Sequence, residues 1–495
     1  FRDVWPVKNW KLIVVILVSA AAYLNTVGHQ FVMDDQSIIT KNKFTQQGFG
    51  GVIDHLTHSY WFGYNGKNEG NYRPITGVSF AIEHALFGDS AAIGHLLNVL
   101  FYTLLCSMLL LWLNRIGWLD PTFNMVLVLL FAVHPVHTEV VANIKSRDEI
   151  YCFLFLILSL LYFQKWLESA NVKALAISGL WLLLSLLSKE TSVAMLPVYL
   201  VVAFRKKANW GEALKATIGP SIATAVYLLI YFGVTRIMDK TEFDVLDNEL
   251  VQQADSMDLL ATKFWIVGSY FKLLLLPTPL FYDYGFNTVQ ISSLSDPLVL
   301  ISLAVLVGLF ALFIVKVRKI QELESNSWLL ALGFLLLPLV PVTNFVVNIG
   351  STMAERFLFM PSFGFLLLVF LFIARFVASR QKVMIVSSSL VALVFFSMTI
   401  NRNEDWQSNE TLYAADIEKL PNGALAHQRL ATVYQIEGDR KGNRASQVAA
   451  YRKAIPLLEK AISIHPYPDF YRQLGELYGA TDQWKLMIEA EEKFV

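Results

Sequence analysis

An all-helical membrane protein, a polytopic bundle of about eleven spans followed by a tetratricopeptide-repeat tail, is the fold class this sequence predicts. Three observations predict it. The residues are 55% hydrophobic and only 16% charged, where a soluble domain carries about 25% charged residues, and mean hydropathy is +0.48. Apolar runs of about 17 to 25 residues, the length a helix needs to cross a bilayer, recur along the chain up to residue 400. Beyond residue 401 those runs stop and a short Leu-small-x-x-Tyr pattern appears instead. A barrel would show alternating strands, so closed helices are the form that satisfies the backbone in lipid.

The spans fall at 11–27, 94–113, 122–138, 149–166, 173–188, 191–204, 214–235, 296–316, 327–347, 358–376 and 382–400. Loop charges orient them. Lys8, Lys11, Arg115, Lys165, Lys173, Arg205 to Lys207, Lys316, Arg318, Lys319, Arg375, Arg380 and Lys382 all fall on one side. The positive-inside bias makes that side the cytoplasm. The N-terminus is then inside and residues 401–495 outside. Residues 259–276 look apolar but hold Lys263 and Lys272, and counting them as a span would invert every later loop. They are read as an amphipathic or re-entrant helix on the outer surface. A formal net charge of zero gives no field for nucleic acid. Cys106 and Cys152 both lie in apolar segments and read as core thiols.

Two domains follow, 1–400 in the membrane and 401–495 outside it. In the tail, "LATVYQIEG" (430–438) and "LGELYGATD" (474–482) frame "AIPLLEKAISIHP", which has the spacing of a second tetratricopeptide helix. The two starts are farther apart than the nominal repeat of about 34 residues, so an insertion is expected around "DRKGNRASQV". Two repeats are few for a solenoid. The tail should therefore lean on the membrane domain or continue past "EAEEKFV", and a short piece is expected before Phe1.

The ionisable clusters gather at the outer ends of the spans, where they call for a functional reading. They are Asp34-Asp35 in "FVMDDQSIIT", Arg73 in "NYRPITG", "HPVHTEVVANIKSRDE" (134–149), "SKE" (188–190), "FYDYG" (281–285) and "MAERFLFMPS" (353–362). A carboxylate, several cations and an apolar wall at one membrane face suit group transfer from a lipid phosphate. The carboxylate takes a proton from an acceptor hydroxyl, and arginines and lysines, here Arg73, Lys189 and Arg356, hold the departing phosphate. Adjacent side chains point apart, so Asp34 and Asp35 should divide the work, one facing the acceptor while the other orients it, binds an ion or pairs with a cation. Their mutual repulsion should raise one pKa.

"FVMDD", "RPITGVSF", "GHLLNVLFY", "FAVHPVHTEVVANIKSRDEI", "LLSKE", "AERFLFMPS" and "RNEDWQSNETLY" occur in this order, ahead of the tetratricopeptide pattern. Together they resemble the transmembrane-and-tetratricopeptide-repeat protein O-mannosyltransferases, in the GT-C glycosyltransferase superfamily. The resemblance implies an inverting enzyme that moves a sugar, mannose or another hexose, from a polyprenyl phosphate to a protein Ser or Thr hydroxyl outside the cytoplasm. It implies Asp34 as the catalytic base with Asp35 as second acid, and Arg356 at the leaving phosphate. His134, His137, Glu139, Arg147 and Asp148 match the family's second outer loop and are expected at the substrate, as are Glu190, Glu355 and Tyr282. "KSRDEI" stands where the family more usually has Gly-Arg-Ala-Asp, a departure at Arg147 and Asp148. The few cysteines and repeats read as bacterial, with site and tail in the periplasm; a eukaryotic host would place them in the lumen of the endoplasmic reticulum.

Other readings stay open at this stage. His134, His137 and Glu139 could hold a divalent cation or form an ordinary polar loop. Lys189-Glu190 could be a helix-end ion pair, Arg73 an anchor of the first loop, and Tyr282 an interfacial aromatic. The chain could also be a scaffold that recruits extracytoplasmic partners, or an enzyme glycosylating a lipid or glycan. A transporter would hold its charges at midplane in repeated spans, which this sequence lacks.

Overall fold

A computed structural model describes residues 9–67, 71–207, 209–236, 243–251, 255–376 and 381–494. Lys8 and Arg380, used above to orient the spans, lie outside the described residues. All regular elements among the described residues are helical.

Among the described residues, eight helical stretches are long and apolar enough to cross a membrane: Trp10–Gly28, Ala91–Ile116, Ile144–Ser169, Ile218–Thr235, Pro297–Val317, Glu324–Val342, Glu355–Arg375 and Lys382–Asp405. A ninth arises if Pro121–Ala132 and Pro135–Val141, bent by 53°, count as one span. The bend has a local cause. The residue before a proline avoids the helical region, and His134, before Pro135, is extended at φ −70° and ψ 123°. Two further apolar segments of the expected eleven, Val172–Ser188 and Glu190–Ala203, are shorter helices. They part at Lys189, whose backbone is extended. The Ser256–Leu275 helix has the length but not the composition of a span. Any 18-residue window in it holds Asp258, Lys263 and Lys272, above the two charges a span tolerates. One face of it, with Ile266, Tyr270, Leu273 and Leu274, packs against Leu335, Leu339 and Leu358.

Packing sorts the spans into inner and outer ones. Pro297–Val317 and Lys382–Asp405 keep most of their side chains exposed, whereas Ile144–Ser169 and Glu324–Val342 are mostly buried. An outward side chain such as Val307 gains little by exchanging lipid for another helix, because the two are equally apolar; close backbone approach is what joins spans in a bilayer. Gly364 shows it. A Cβ there would sit 2.2 Å from the backbone nitrogen of Leu335, so only glycine lets the Leu323–Leu336 and Phe359–Phe376 helices meet. Phe334 and Phe363 pack edge-on at 5.1 Å across that contact. Cys106 and Cys152 are buried free thiols.

Residues 409–494 form five helices: Asn409–Lys419, Ala424–Asp439, Arg444–Ile464, Pro468–Ala480 and Trp484–Phe494. Successive helices pack on one another around Ala431, Tyr451, Leu458, Leu477 and Tyr478. Residues 440–443 link the second and third of these helices, and the extra residues that follow are helical. They lengthen the third helix to 21 residues, against 13 and 11 in the pair that follows. The tail rests on the membrane part. Leu412, Tyr413 and Leu430 bury against Val32, Ala142 and Trp406, and Ala424 and Leu425 against Leu246.

Candidate active site

The site is built where four segments, around Asp34, Asp247, Tyr282 and Arg356, meet Arg429 of the tail. Val32 to Asp35 follows the first span. Met33 turns through φ 50°, and its N–H donates to Asn409 Oδ1 at 2.8 Å, so the tail's first helix fixes that turn. The two aspartates then diverge. Asp35 is fully buried and receives the N–H of Val32 at 3.0 Å and of Lys145 at 2.7 Å. It clasps the segment after the first span to the turn at Ile144–Ser146. Burial pushes its carboxyl up to about 7, against the pull of those two N–H donors. Repulsion by Asp34 is a lesser contributor, so burial more than adjacency sets the pair apart. Asp34, with its side chain 38% exposed, lies 3.3 Å from the Lys145 ammonium and lines a cleft of about 160 Å³.

Arg356 lines the same cleft. It sits where the chain enters the Glu355–Arg375 span, and Glu139 holds it twice. The Arg356 N–H donates to Glu139 Oε2 at 2.7 Å, and its guanidinium pairs with Glu139 Oε1. A further guanidinium N–H reaches Ser351 Oγ at 3.3 Å. Glu139 is 1% exposed, so this is a buried, charge-assisted contact of the strong kind. Tyr282 completes that wall with Asp283, Asp247 and Arg429. Burial raises the Asp283 and Asp247 carboxyls, with Arg429 opposing. The backbone N–H groups of Tyr282 and Asp283 both donate to Asp416 of the tail, at 2.9 Å to Oδ2. Glu355 lies just behind, where its Oε1 accepts from the Phe281 N–H at 2.6 Å and the Tyr284 hydroxyl at 2.9 Å.

The other expected residues lie elsewhere. Arg73 is buried and meets Asp148 at 2.7 Å and both oxygens of Glu190 at 2.7 and 3.1 Å. Lys189 pairs with Glu149. Arg147 donates to Asn98 Oδ1, Glu83 Oε2 and the Gly94 carbonyl at 2.6, 2.5 and 3.0 Å, and lies over the Phe80 ring. His137 bonds the Tyr102 hydroxyl at 2.9 Å and Ser362 Oγ at 2.8 Å. His134 meets the Leu274 carbonyl at 3.1 Å, and its Nδ1 accepts from the Val136 N–H at 3.5 Å. With both ring nitrogens engaged on each histidine, neither is poised to ligate a cation. Among the described residues no three His, Cys, Asp or Glu side chains converge on one point.

Of the expected residues, then, Asp34, Arg356 and Tyr282 share the cleft, with Asp35, Glu139 and Glu355 holding its walls. Asp247, Asp283 and Arg429 were not anticipated. Asp283 lies in the "FYDYG" segment beside Tyr282, whereas Arg429 stands just ahead of "LATVYQIEG" with no chemical signal around it.

Comparison with known proteins finds likeness to protein mannosyltransferases. Residues 74–235 match the family described as dolichyl-phosphate-mannose-protein mannosyltransferase. The chain is a distant homologue of proteins named as protein O-mannosyl-transferases. It is 27% identical over 496 residues to Protein O-mannosyl-transferase TMTC4 of Mus musculus, covering 90% of this chain and 66% of that protein. It is 26% identical over 437 residues to Protein O-mannosyl-transferase F38B6.6 of Caenorhabditis elegans, covering 86% and 60%. With human Protein O-mannosyl-transferase TMTC1 the identity is 26% over 488 residues, covering 90% and 55%. The chain thus spans less than two thirds of the length of these relatives.

Proposed function

We propose that the protein is an inverting glycosyltransferase that moves mannose, or another hexose, from a polyprenyl phosphate to a Ser or Thr hydroxyl of a protein on the extracytoplasmic face. The observation that carries this reading is the shared cleft, which brings a solvent-accessible carboxylate, Asp34, together with a guanidinium, Arg356, at the mouth of a span. The family match and the distant relatives support the donor and acceptor classes. In this reading Asp34 takes the proton of the acceptor hydroxyl. The hydroxyl oxygen forms a bond to the anomeric carbon as the bond from that carbon to the phosphate oxygen breaks. The electron pair leaves with the phosphate, and Arg356 offers it a planar fork. One displacement inverts the anomeric centre without a sugar-enzyme bond, as a single base step does in inverting sugar chemistry. Asp35 orients rather than reacts. Arg73 and Lys189, each matched to carboxylates away from the cleft lining, meet a phosphate only once it displaces one of those partners.

The same reading takes the two shorter apolar helices and the bent pair as crossings, giving eleven spans, with 401–495 as a tetratricopeptide domain outside the cytoplasm. It places the site in the periplasm of a bacterium, or in the endoplasmic-reticulum lumen of a eukaryote. Purified protein given radiolabelled polyprenyl-phosphate mannose and a Ser/Thr peptide should transfer label with inverted anomeric configuration. Retention of configuration rejects the single displacement, and no transfer to any hydroxyl acceptor rejects the transferase reading in favour of a scaffold that recruits partners through the tail.

A further inference from the structure

The tail does more than stand beside the cleft: one of its side chains reaches into it. Arg429, on the Ala424–Asp439 helix, has only 26% of its side chain exposed and lines the cleft with Asp34 and Arg356. Its guanidinium donates to the Tyr282 hydroxyl and lies 5.0 Å from the centre of the Tyr282 ring. A second nitrogen stands 3.9 Å from Asp247 Oδ1. A planar cation that meets a hydroxyl, a π face and a carboxylate at once fixes all three, which a flexible ammonium cannot do. The Tyr282 ring in turn packs against Trp406 and Tyr413.

We propose that Arg429 is a positioning residue of the transfer site, setting the Tyr282–Asp283 wall of the cleft for the acceptor, so that the tail forms part of the site for every acceptor however short. The inference rests on the transfer reading above and goes beyond it. A tail that only recruited proteins would have no reason to place a half-buried guanidinium against the cleft wall. Two features keep the contact in register. Asp416 grips the same wall through the N–H groups of Tyr282 and Asp283, and Ala424 and Leu425 bury against Leu246 on the membrane side. The anionic donor meets Arg356, which Glu139 holds separately, so the acceptor side and the donor side of the cleft are fixed by different parts of the chain.

The test uses the full chain in detergent with polyprenyl-phosphate mannose, a short Ser/Thr peptide and a folded protein acceptor. Arg429→Gln should raise the peptide KM about tenfold or more, the scale of a lost charged hydrogen bond, while the donor KM stays within about twofold of wild type. Arg429→Lys should fall between the two. Tyr282→Phe should add little on top of Arg429→Gln, because the two changes break one contact. Arg472→Gln, at an exposed site on the tail, should match wild type. An Arg429→Gln protein with a wild-type peptide KM that loses only the folded acceptor would make the tail a recruiter and overturn the proposal. Equal losses for donor and acceptor with a lowered melting temperature would reduce Arg429 to a structural prop, and also overturn it. Failure of the wild type to transfer at all would instead strike the transfer reading.

Discussion

Glu139 holds Arg356 by two of its groups at once, the guanidinium and the backbone N–H at 2.7 Å, from a position buried to 1% exposure. The carboxylate therefore fixes both where the Arg356 backbone runs and where its side chain points. A cation prepared in this way needs no search for its geometry when an anion arrives.

That pairing makes Glu139→Gln informative. Glutamine keeps an oxygen for the N–H but removes the counter-charge. If orientation matters most, the donor KM should rise by about tenfold, the scale of one charge-assisted bond. If only net charge matters, the freed guanidinium should tighten donor binding. Donor titrations of the purified variant tell these apart.

Arg356→Ala should weaken use of the donor by about 1.5–3 kcal/mol, the value of a hydrogen bond to a charged group, and Arg356→Lys should rescue only part because it lacks the fork. Donor kinetics that do not change in Arg356→Ala would remove this residue from the phosphate site.

Arg147 is expected to behave differently. Its three hydrogen bonds go to Asn98, Glu83 and the Gly94 carbonyl, inside the protein. Arg147→Gln should cost stability of about 3–5 kcal/mol by leaving Glu83 without its partner, seen as a lower melting temperature and yield. The protein that does fold should keep its KM values. A variant with normal stability and a raised KM would move Arg147 to the substrate.

Much of this was legible in the sequence, for identifiable reasons. Lengths of apolar sequence locate helices, because a bilayer demands about 20 residues of them, and His134-Pro135 marks the bend. Asp34 and Arg356 were legible as charges at span ends. Their neighbours were less so, because a cluster of charges at one face has two physical solutions. Either the charges stay partly open to a cleft, as Asp34 does beside Lys145, or they satisfy one another inside the protein, as Arg73 does with Asp148 and Glu190. Spacing along a chain does not distinguish these, since Arg73 and Glu190 meet only through the fold. Arg429 was illegible for a related reason: its helix is docked by Leu425 and Leu430, and nothing local says what its polar face meets.

Asp416 gives a pH prediction. Burial lifts its carboxyl to about 6, chiefly opposed by Arg402, from an unfolded value of about 3.9. A carboxyl raised in the folded state contributes stability that is full below the unfolded value and lost as pH rises through the folded one. Between about pH 4 and 6 the wild type should thus lose up to about 3 kcal/mol relative to Asp416→Asn. Asparagine can keep one oxygen for the Tyr282 and Asp283 N–H groups, so the variant should fold. Melting temperatures of both proteins in detergent from pH 4 to 7 check this; parallel curves would mean Asp416 does not titrate there.

Asp34 as the base stands or falls on sugar transfer by Asp34→Asn. Asparagine keeps the shape of the side chain beside Lys145 and cannot take a proton from the acceptor. Turnover from purified polyprenyl-phosphate donor should fall by about 10²- to 10⁴-fold, the usual contribution of a positioned base, while donor binding, measured on the same preparation, stays at the wild-type level. Asp34→Asn turning over at the wild-type rate would contradict the account.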